Sequence, residues 1–287
     1  MDAIATLAKR FPQKRVLITG ATSGLGEALA LRFARQGFHV GVAGRNPEKT
    51  ANTCDKVNQA GGRALPLQLE VTRPDDFHSA AQQIQESWGG LDILFNNAGL
   101  ATAGGLLDFS LEAWRDAIEV DLWSVIHGCR LFTPLMIQSG GGHVANVASA
   151  AGILCPPEVA AYSAAKAAVV AISEVLQAEL VAENINFTVC CPTIFKSGLL
   201  DEMPPGGDTH MHGVTADGLR DSMQKTSVTS DDVADHLLKC MAKGKLYSLP
   251  MRDARTMWRL KRWAPESYSR LLRYLYRHKM WVFNPDH

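Results

Sequence analysis

No excess of charge of either sign runs through this chain. Lys plus Arg and Asp plus Glu each number 29, so the overall balance points neither to nucleic acid nor to an acidic partner. The six cysteines, Cys54, Cys129, Cys155, Cys190, Cys191 and Cys240, contain no C-x-x-C pair or knuckle spacing. They read as reduced, mostly buried thiols of a cytoplasmic protein rather than as a disulfide framework or a zinc site. Nowhere do about 18 apolar residues run unbroken, which excludes an evident membrane span. The opening MDAIATLAKRF has an acid at position 2 and no long apolar stretch before its basic pair, so no signal peptide is expected. Internal repeats and low-complexity tracts are also missing. What remains is 287 residues, 46% of them hydrophobic, enough to bury one large core or two small ones.

Short apolar runs alternate with longer helical segments: RVLIT (15–19), FHVGVA (38–43), ALPLQL (64–69), LDILF (91–95), HVANVA (143–148) and INFTVC (185–190). That alternation predicts βαβ units and a parallel sheet covered on both faces. Segments 24–36 and 74–88 carry helix formers, and Pro47 and Pro74 stand where helices start. The fold expected is α/β, a Rossmann-type doubly wound parallel sheet forming a single domain over 1–250. A Pro- and Gly-rich lid falls at about 193–228, and a basic extension at 251–287.

The first strand runs directly into TGATSGLG, Thr19 to Gly26. Gly20, Gly24 and Gly26 between a strand and a helix let the chain turn tightly, and let the backbone around Thr22, Ser23 and Leu25 approach a pyrophosphate at the positive helix end. A dinucleotide site is therefore expected here. Much further on, AAYSAAKAAV (160–169) places Tyr162 and Lys166 one helical turn apart. Alone, this pattern is an ordinary buried helix. At i and i+4, however, the two share a face, so an ammonium can stand beside a phenol.

The spacing T-G-x-x-x-G-x-G, the Asn96-Asn97-Ala98-Gly99 that follows LDILF, and Ser149 standing 13 residues (162 − 149) before Tyr162 together resemble the short-chain dehydrogenase/reductase family, over roughly residues 14–200. The resemblance implies a catalytic set of Ser149, Tyr162 and Lys166. In it Tyr162 exchanges a proton with the substrate, Ser149 holds the substrate oxygen, and Lys166 favours phenolate and binds the nicotinamide ribose. It also implies cofactor contacts at Asn97, Ala98 and Gly99, at Glu70 and Val71 near the adenine, and at Pro192, Ile194 and Ser197 near the carboxamide. Two departures stand out. Val120-Asp121-Leu122 has Asp where the family has a catalytic Asn, so Asp121 would add negative charge beside Lys166 and modify the relay. Pro192-Thr193 replaces the usual Pro-Gly. At the end of the second strand, Gly44-Arg45 stands where NAD-preferring relatives place an acid. Arg45 suits a 2′-phosphate, and NADP(H) is expected over NAD(H).

Apolar residues flank the expected nicotinamide end: Ile153, Leu154, Cys155, Pro156 and Val159 before the tyrosine, then Phe195, Leu199, Leu200 and Met203 after the sixth strand. They favour a hydrophobic ketone, aldehyde or secondary alcohol. His210 and His212 have no third ligand pattern near them, so no metal is expected. A dinucleotide-binding regulator or scaffold without turnover is the alternative, and a sugar-nucleotide epimerase or dehydratase a more distant one. Small residues around AAKAAVVAISEVLQAEL predict a homodimer or homotetramer. Between Arg252 and Lys279 nine Lys or Arg stand against Asp253 and Glu266. Tyr268, Leu271, Leu272 and Leu275 recur at helical spacing, with Trp258, Trp263 and Trp281 nearby. This extension fits peripheral contact with an anionic membrane, or an apolar stripe packed on the protein's own substrate lobe with its arginines in water.

Overall fold

The computed structural model describes residues 3–107, 109–197, 221 and 223–278. Seven parallel strands form one sheet in the order β3-β2-β1-β4-β5-β6-β7. They are β1 (Arg15–Thr19), β2 (His39–Gly44), β3 (Arg63–Gln68), β4 (Ile93–Asn96), β5 (Gly142–Val147), β6 (Ile185–Cys190) and β7 (Tyr247–Ser248). The helices are α1 (Ala3–Arg10), α2 (Gly24–Ala34), α3 (Pro47–Gln59), α4 (Pro74–Trp88), α5 (Leu111–Ile118), α6 (Ser124–Gln138), α7 (Ala150–Leu154), α8 (Ala160–Glu179), α9 (Ser230–Ala242), α10 (Arg252–Trp263) and α11 (Pro265–Arg277). Chain order reverses between β1 and β4, which opens a crevice beyond their C-terminal ends, the usual place for a dinucleotide.

Alternation along the strands divides the core between the two faces. Val16 and Ile18 of β1 join Ile93 and Phe95 of β4 against Leu29 and Phe33 of α2, Val57 of α3 and Leu237 of α9. Leu17 and Leu94 point the other way, towards Phe77 of α4, Phe132 of α6 and Val169 of α8. Each fully buried Phe or Leu contributes roughly 1.5–3 kcal/mol of transfer free energy. Pro66 is tolerated because β3 is an edge strand with a mostly accessible surface. Pro47 and Pro74 do begin α3 and α4, and the Asn46 side chain accepts from the Lys49 amide at 3.0 Å.

Three elements go beyond what the sequence pattern predicts. Strand β7 extends the sheet past residue 190 with only two residues, too few to show a period. Helix α1 docks on α9: Leu7 is fully buried and Arg10 donates to the Met241 and Ala242 carbonyls. Asp121 lies in a π-helical turn, Glu119–Trp123, inserted between α5 and α6. Residues 198–220, with Leu199, Leu200, Met203, His210 and His212, lie outside the described residues, as does Trp281.

Candidate active site

The glycine turn is built by close approach. Gly20 and Gly24 adopt φ +62° and +52°, the left-handed region that favours glycine. A Cβ on Gly26 would sit 2.2 Å from the Gly20 carbonyl oxygen, so only glycine lets α2 start this near β1. Asn97 buttresses the turn: its Nδ2 donates to the Thr19 and Gly20 carbonyls at 2.9 and 3.1 Å, while Thr19 Oγ1 accepts from the Asn97 and Ala98 amides. Ser23, the N-cap of α2, makes no side-chain cap hydrogen bond, so the exposed positive end keeps backbone donors for an anion. This cradle fits a dinucleotide pyrophosphate, which the backbone from Thr22 to Gly26 would hold if one is bound.

At the adenine end, Gly44 has no room for a side chain, because a Cβ there would meet the Thr22 methyl at 2.7 Å. Arg45 follows on the surface and its carbonyl accepts from Gln68 Nε2 at 2.7 Å. Glu70 turns its carboxylate towards Thr72, and its amide donates to Asp76 Oδ2 at 2.9 Å. Val71 packs against the core.

At the other end, Ser149 is the N-cap of α7 and its Oγ accepts from the Ala151 amide at 3.1 Å. Gly152 lets α7 cross directly over the α8 backbone: a Cβ there would lie 2.6 Å from the Lys166 carbonyl. That crossing brings Ser149 beside Tyr162 in the first turn of α8, where the serine favours the ionised phenol. The Lys166 ammonium lies 5.7 Å from the centre of the Tyr162 ring. It donates to the Val147 carbonyl at 3.1 Å and pairs with Asp121 Oδ1 at 3.2 Å. Asp121 is fully buried, its Oδ1 also accepts from the Leu100 amide at 3.0 Å, and its Oδ2 has no hydrogen-bond partner among the described residues. Gly99 makes room for the pair, since a Cβ would come within 2.8 Å of Asp121 Oδ1 and 3.2 Å of Lys166 Nζ.

The electrostatics follow from this packing. Burial pushes the Tyr162 phenol above its ordinary range, Lys166 pulls it down, and Asp121 pushes it back up. For Lys166, burial works against the charge, but Asp121 and then Tyr162 outweigh it and hold the ammonium above its usual value. Burial raises the Asp121 carboxyl despite Lys166 and the Leu100 amide. The arrangement can keep a proton on Tyr162 beside a fixed cation, with Ser149 ready to orient a second oxygen.

The surrounding apolar residues fall into different places. Ile153 is buried in the core, and Leu154 and Phe195 pack against it. The Pro192 carbonyl accepts from the Ala150 amide at 2.8 Å, and the Lys196 amide donates to the Val228 carbonyl. Ile194 and Ser197 are partly exposed beyond β6. Val159 borders a narrow hollow with no room even for a water molecule, lined also by Thr102, Phe109 and Trp114. Those last three were not anticipated; the apolar and glycine-rich composition of 100–114, just after Asn97-Ala98-Gly99, is the signal that could have found them.

A family model described as short chain dehydrogenase matches residues 14–206. A probable oxidoreductase, EphD, of Mycobacterium tuberculosis is 31% identical over 267 residues, which is 90% of this chain but 42% of that protein. The chain thus spans about two fifths of that relative's length. A 3beta-hydroxysteroid dehydrogenase of Mediterraneibacter gnavus is 31% identical over 246 residues, 85% of this chain and 84% of that one. Among solved structures, a short chain dehydrogenase/reductase from Burkholderia phymatum in complex with NAD aligns with a TM-score of 0.81 at 27% identity, over 88% of this chain and 94% of that one. A short-chain dehydrogenase from Sphingobium yanoikuyae in complex with NADPH shares the fold at a TM-score of 0.70 and 24% identity, over 89% of this chain and 93% of that one.

Asp121→Asn keeps an acceptor for Lys166 and Leu100 but removes the negative charge that raises Tyr162. The phenol should then ionise at lower pH than in the native protein. Tyrosinate absorbance, titrated in Asp121→Asn against the same variant carrying Tyr162→Phe, reads this directly; an unchanged or raised titration would show that Asp121 is not charged where it matters.

Proposed function

The chain belongs to the short-chain dehydrogenase/reductase family, and we propose that it is an NADP(H)-dependent oxidoreductase acting on a hydrophobic ketone, aldehyde or secondary alcohol. The observation that carries this reading is the convergence of Ser149, Tyr162 and the buried Lys166 ammonium at the C-terminal edge of β5. A bound nicotinamide supplies or accepts the hydride. Ser149 orients the substrate oxygen, and Tyr162 gives that oxygen a proton in reduction or takes one in oxidation. Lys166 stabilises the phenolate left after reduction. Burial and Asp121 favour the protonated phenol, which suits Tyr162 to give a proton to a substrate oxygen.

Arg45, carried on the surface beside a Gly44 that excludes an acidic side chain, supports a 2′-phosphate and so NADP(H). A relative named as a 3beta-hydroxysteroid dehydrogenase supports an apolar secondary alcohol or its ketone. Two surfaces support further partners. Val175 on α8 and Trp123 beside α6 are 52% and 44% exposed, favouring a homodimer or homotetramer through these helices. The outer face of α10 and α11 carries the exposed Arg259, Arg262, Arg270, Arg273 and Arg277, with Trp263 90% and Tyr274 55% exposed. That combination matches an anionic bilayer surface and supports a cytoplasmic enzyme that touches a membrane.

Tyr162→Phe should lower kcat roughly 10²- to 10⁴-fold while NADPH binding, read by fluorescence, stays intact. Unchanged turnover would refute the proton role, and no NADPH oxidation by the native protein across a panel of apolar ketones would favour a regulator. Arg45→Ala should weaken NADPH binding about tenfold relative to NADH, as expected for losing hydrogen bonds to a charged group; an unchanged ratio would remove the NADP(H) assignment. Light scattering at micromolar concentration should give a dimer or tetramer mass, and co-sedimentation with anionic vesicles should be strongest at low salt. A monomer mass, or no sedimentation at low salt, would overturn the respective surface.

A further inference from the structure

The helix α7 that carries Ser149 is one and a half turns long, so its last carbonyls have no partners within the helix. They are met from the far end of the chain. Lys261 Nζ of α10 donates to the Ile153 carbonyl at 2.8 Å and stands 3.2 Å from Cys155 Sγ. Tyr268 of α11, only 4% exposed, donates its hydroxyl to the Leu154 carbonyl at 2.7 Å. A cation and a hydroxyl at a helix C-terminus both complement its negative end.

The segment that follows is conformationally costly. Cys155 and Glu158 adopt φ +53° and +64°, a region non-glycine residues rarely occupy unless their surroundings hold them there. Pro156 and Pro157 lie between them. Glu158 is held at both ends: its carbonyl accepts from the Gly104 amide at 2.7 Å, and its Oε1 accepts from the Tyr276 hydroxyl at 2.7 Å. The donors are durable, since burial pushes Tyr268 up to about 12 and the Glu158 hydrogen bond pushes Tyr276 up to about 12. Residues 155–158 connect the helix that positions Ser149 to the one that positions Tyr162, and Val159 next to them borders the hollow.

The geometry points to Lys261, Tyr268 and Tyr276 as positioning residues: the arm formed by α10 and α11 clamps residues 153–158 in their strained path, and so sets the substrate-side wall and the Ser149–Tyr162 spacing. This rests on the oxidoreductase reading for its kinetic consequence, whereas the clamp itself is a property of the chain.

The test uses the full chain with Tyr268→Phe/Tyr276→Phe, which removes two hydroxyls and keeps both rings, and separately Lys261→Met and Lys261→Arg. Amide hydrogen exchange across 150–159 should accelerate about tenfold, the effect of losing hydrogen bonds of this kind, in Lys261→Met and in the double Phe variant. Lys261→Arg should stay near native. With an apolar ketone, KM should rise about fivefold or more while NADPH affinity stays native. Exchange at 150–159 that remains native overturns the clamp, as does acceleration spread equally over the sheet. Faster local exchange with an unchanged KM overturns the positioning role. Should no ketone be reduced even by the native protein, it is the oxidoreductase reading that fails, and the exchange experiment still decides the clamp. Lys261→Met, on a half-exposed side chain, serves if the double variant does not fold.

Discussion

A single buried ammonium holds the centre of this molecule together. Lys166 has lost its water, and a cation in that position is tolerable only with fixed acceptors around it. It finds the Val147 carbonyl at the end of β5 and the Asp121 carboxylate in the π-helical turn ahead of α6. Each acceptor imposes a condition on a different part of the chain. The carboxylate reaches inward because a π-helical turn over Glu119–Trp123 breaks the α-helical register there. The pair fits because residue 99 has no Cβ, and Ser149 reaches the same place because residue 152 has none. Four separate stretches of sequence therefore meet at one charge.

Asp121 makes that charge balance unlike one built with a neutral amide. Bringing a second ion into the interior adds its own desolvation, and the gain in Coulomb energy only offsets this if the remaining lone pairs are met. Oδ1 meets two donors; Oδ2 meets none among the described residues. The opposition leaves the ammonium more firmly charged and the phenol less willing to ionise. The departure from the family pattern therefore does not dismantle the site. It redistributes where the proton rests.

The glycine turn was legible from sequence because its requirements fall on the backbone. A turn at positive φ and a 2.2 Å approach between residues 20 and 26 admit only glycine, so the residue type reports the geometry. The strands were legible because runs buried on both faces are continuously apolar. Other features left weaker traces. Strand β7 depends on its pairing with β6, which no two-residue segment can announce. The π turn has no composition of its own. Helix α1 shows its role only through tertiary contact, with Leu7 in the core and Arg10 donating to carbonyls more than 200 positions away.

The basic C-terminal extension illustrates why the substrate half is harder to read. Its amphipathic pattern is compatible with a membrane surface as well as a protein surface, since both reward one apolar stripe and one cationic one. The structure shows Tyr268 buried and Trp258 against the core, with Leu271, Leu272 and Leu275 partly covered. The stripe is thus largely spent on the protein itself, and any surface left for a bilayer is the outer one of arginines and Trp263. The inner contacts that matter most go from side chains to main-chain carbonyls at Ile153 and Leu154. A carbonyl belongs to every residue, so the receiving sequence bears no mark of the contact, and a pattern of side chains alone cannot say that the end of the chain supports the helix of Ser149.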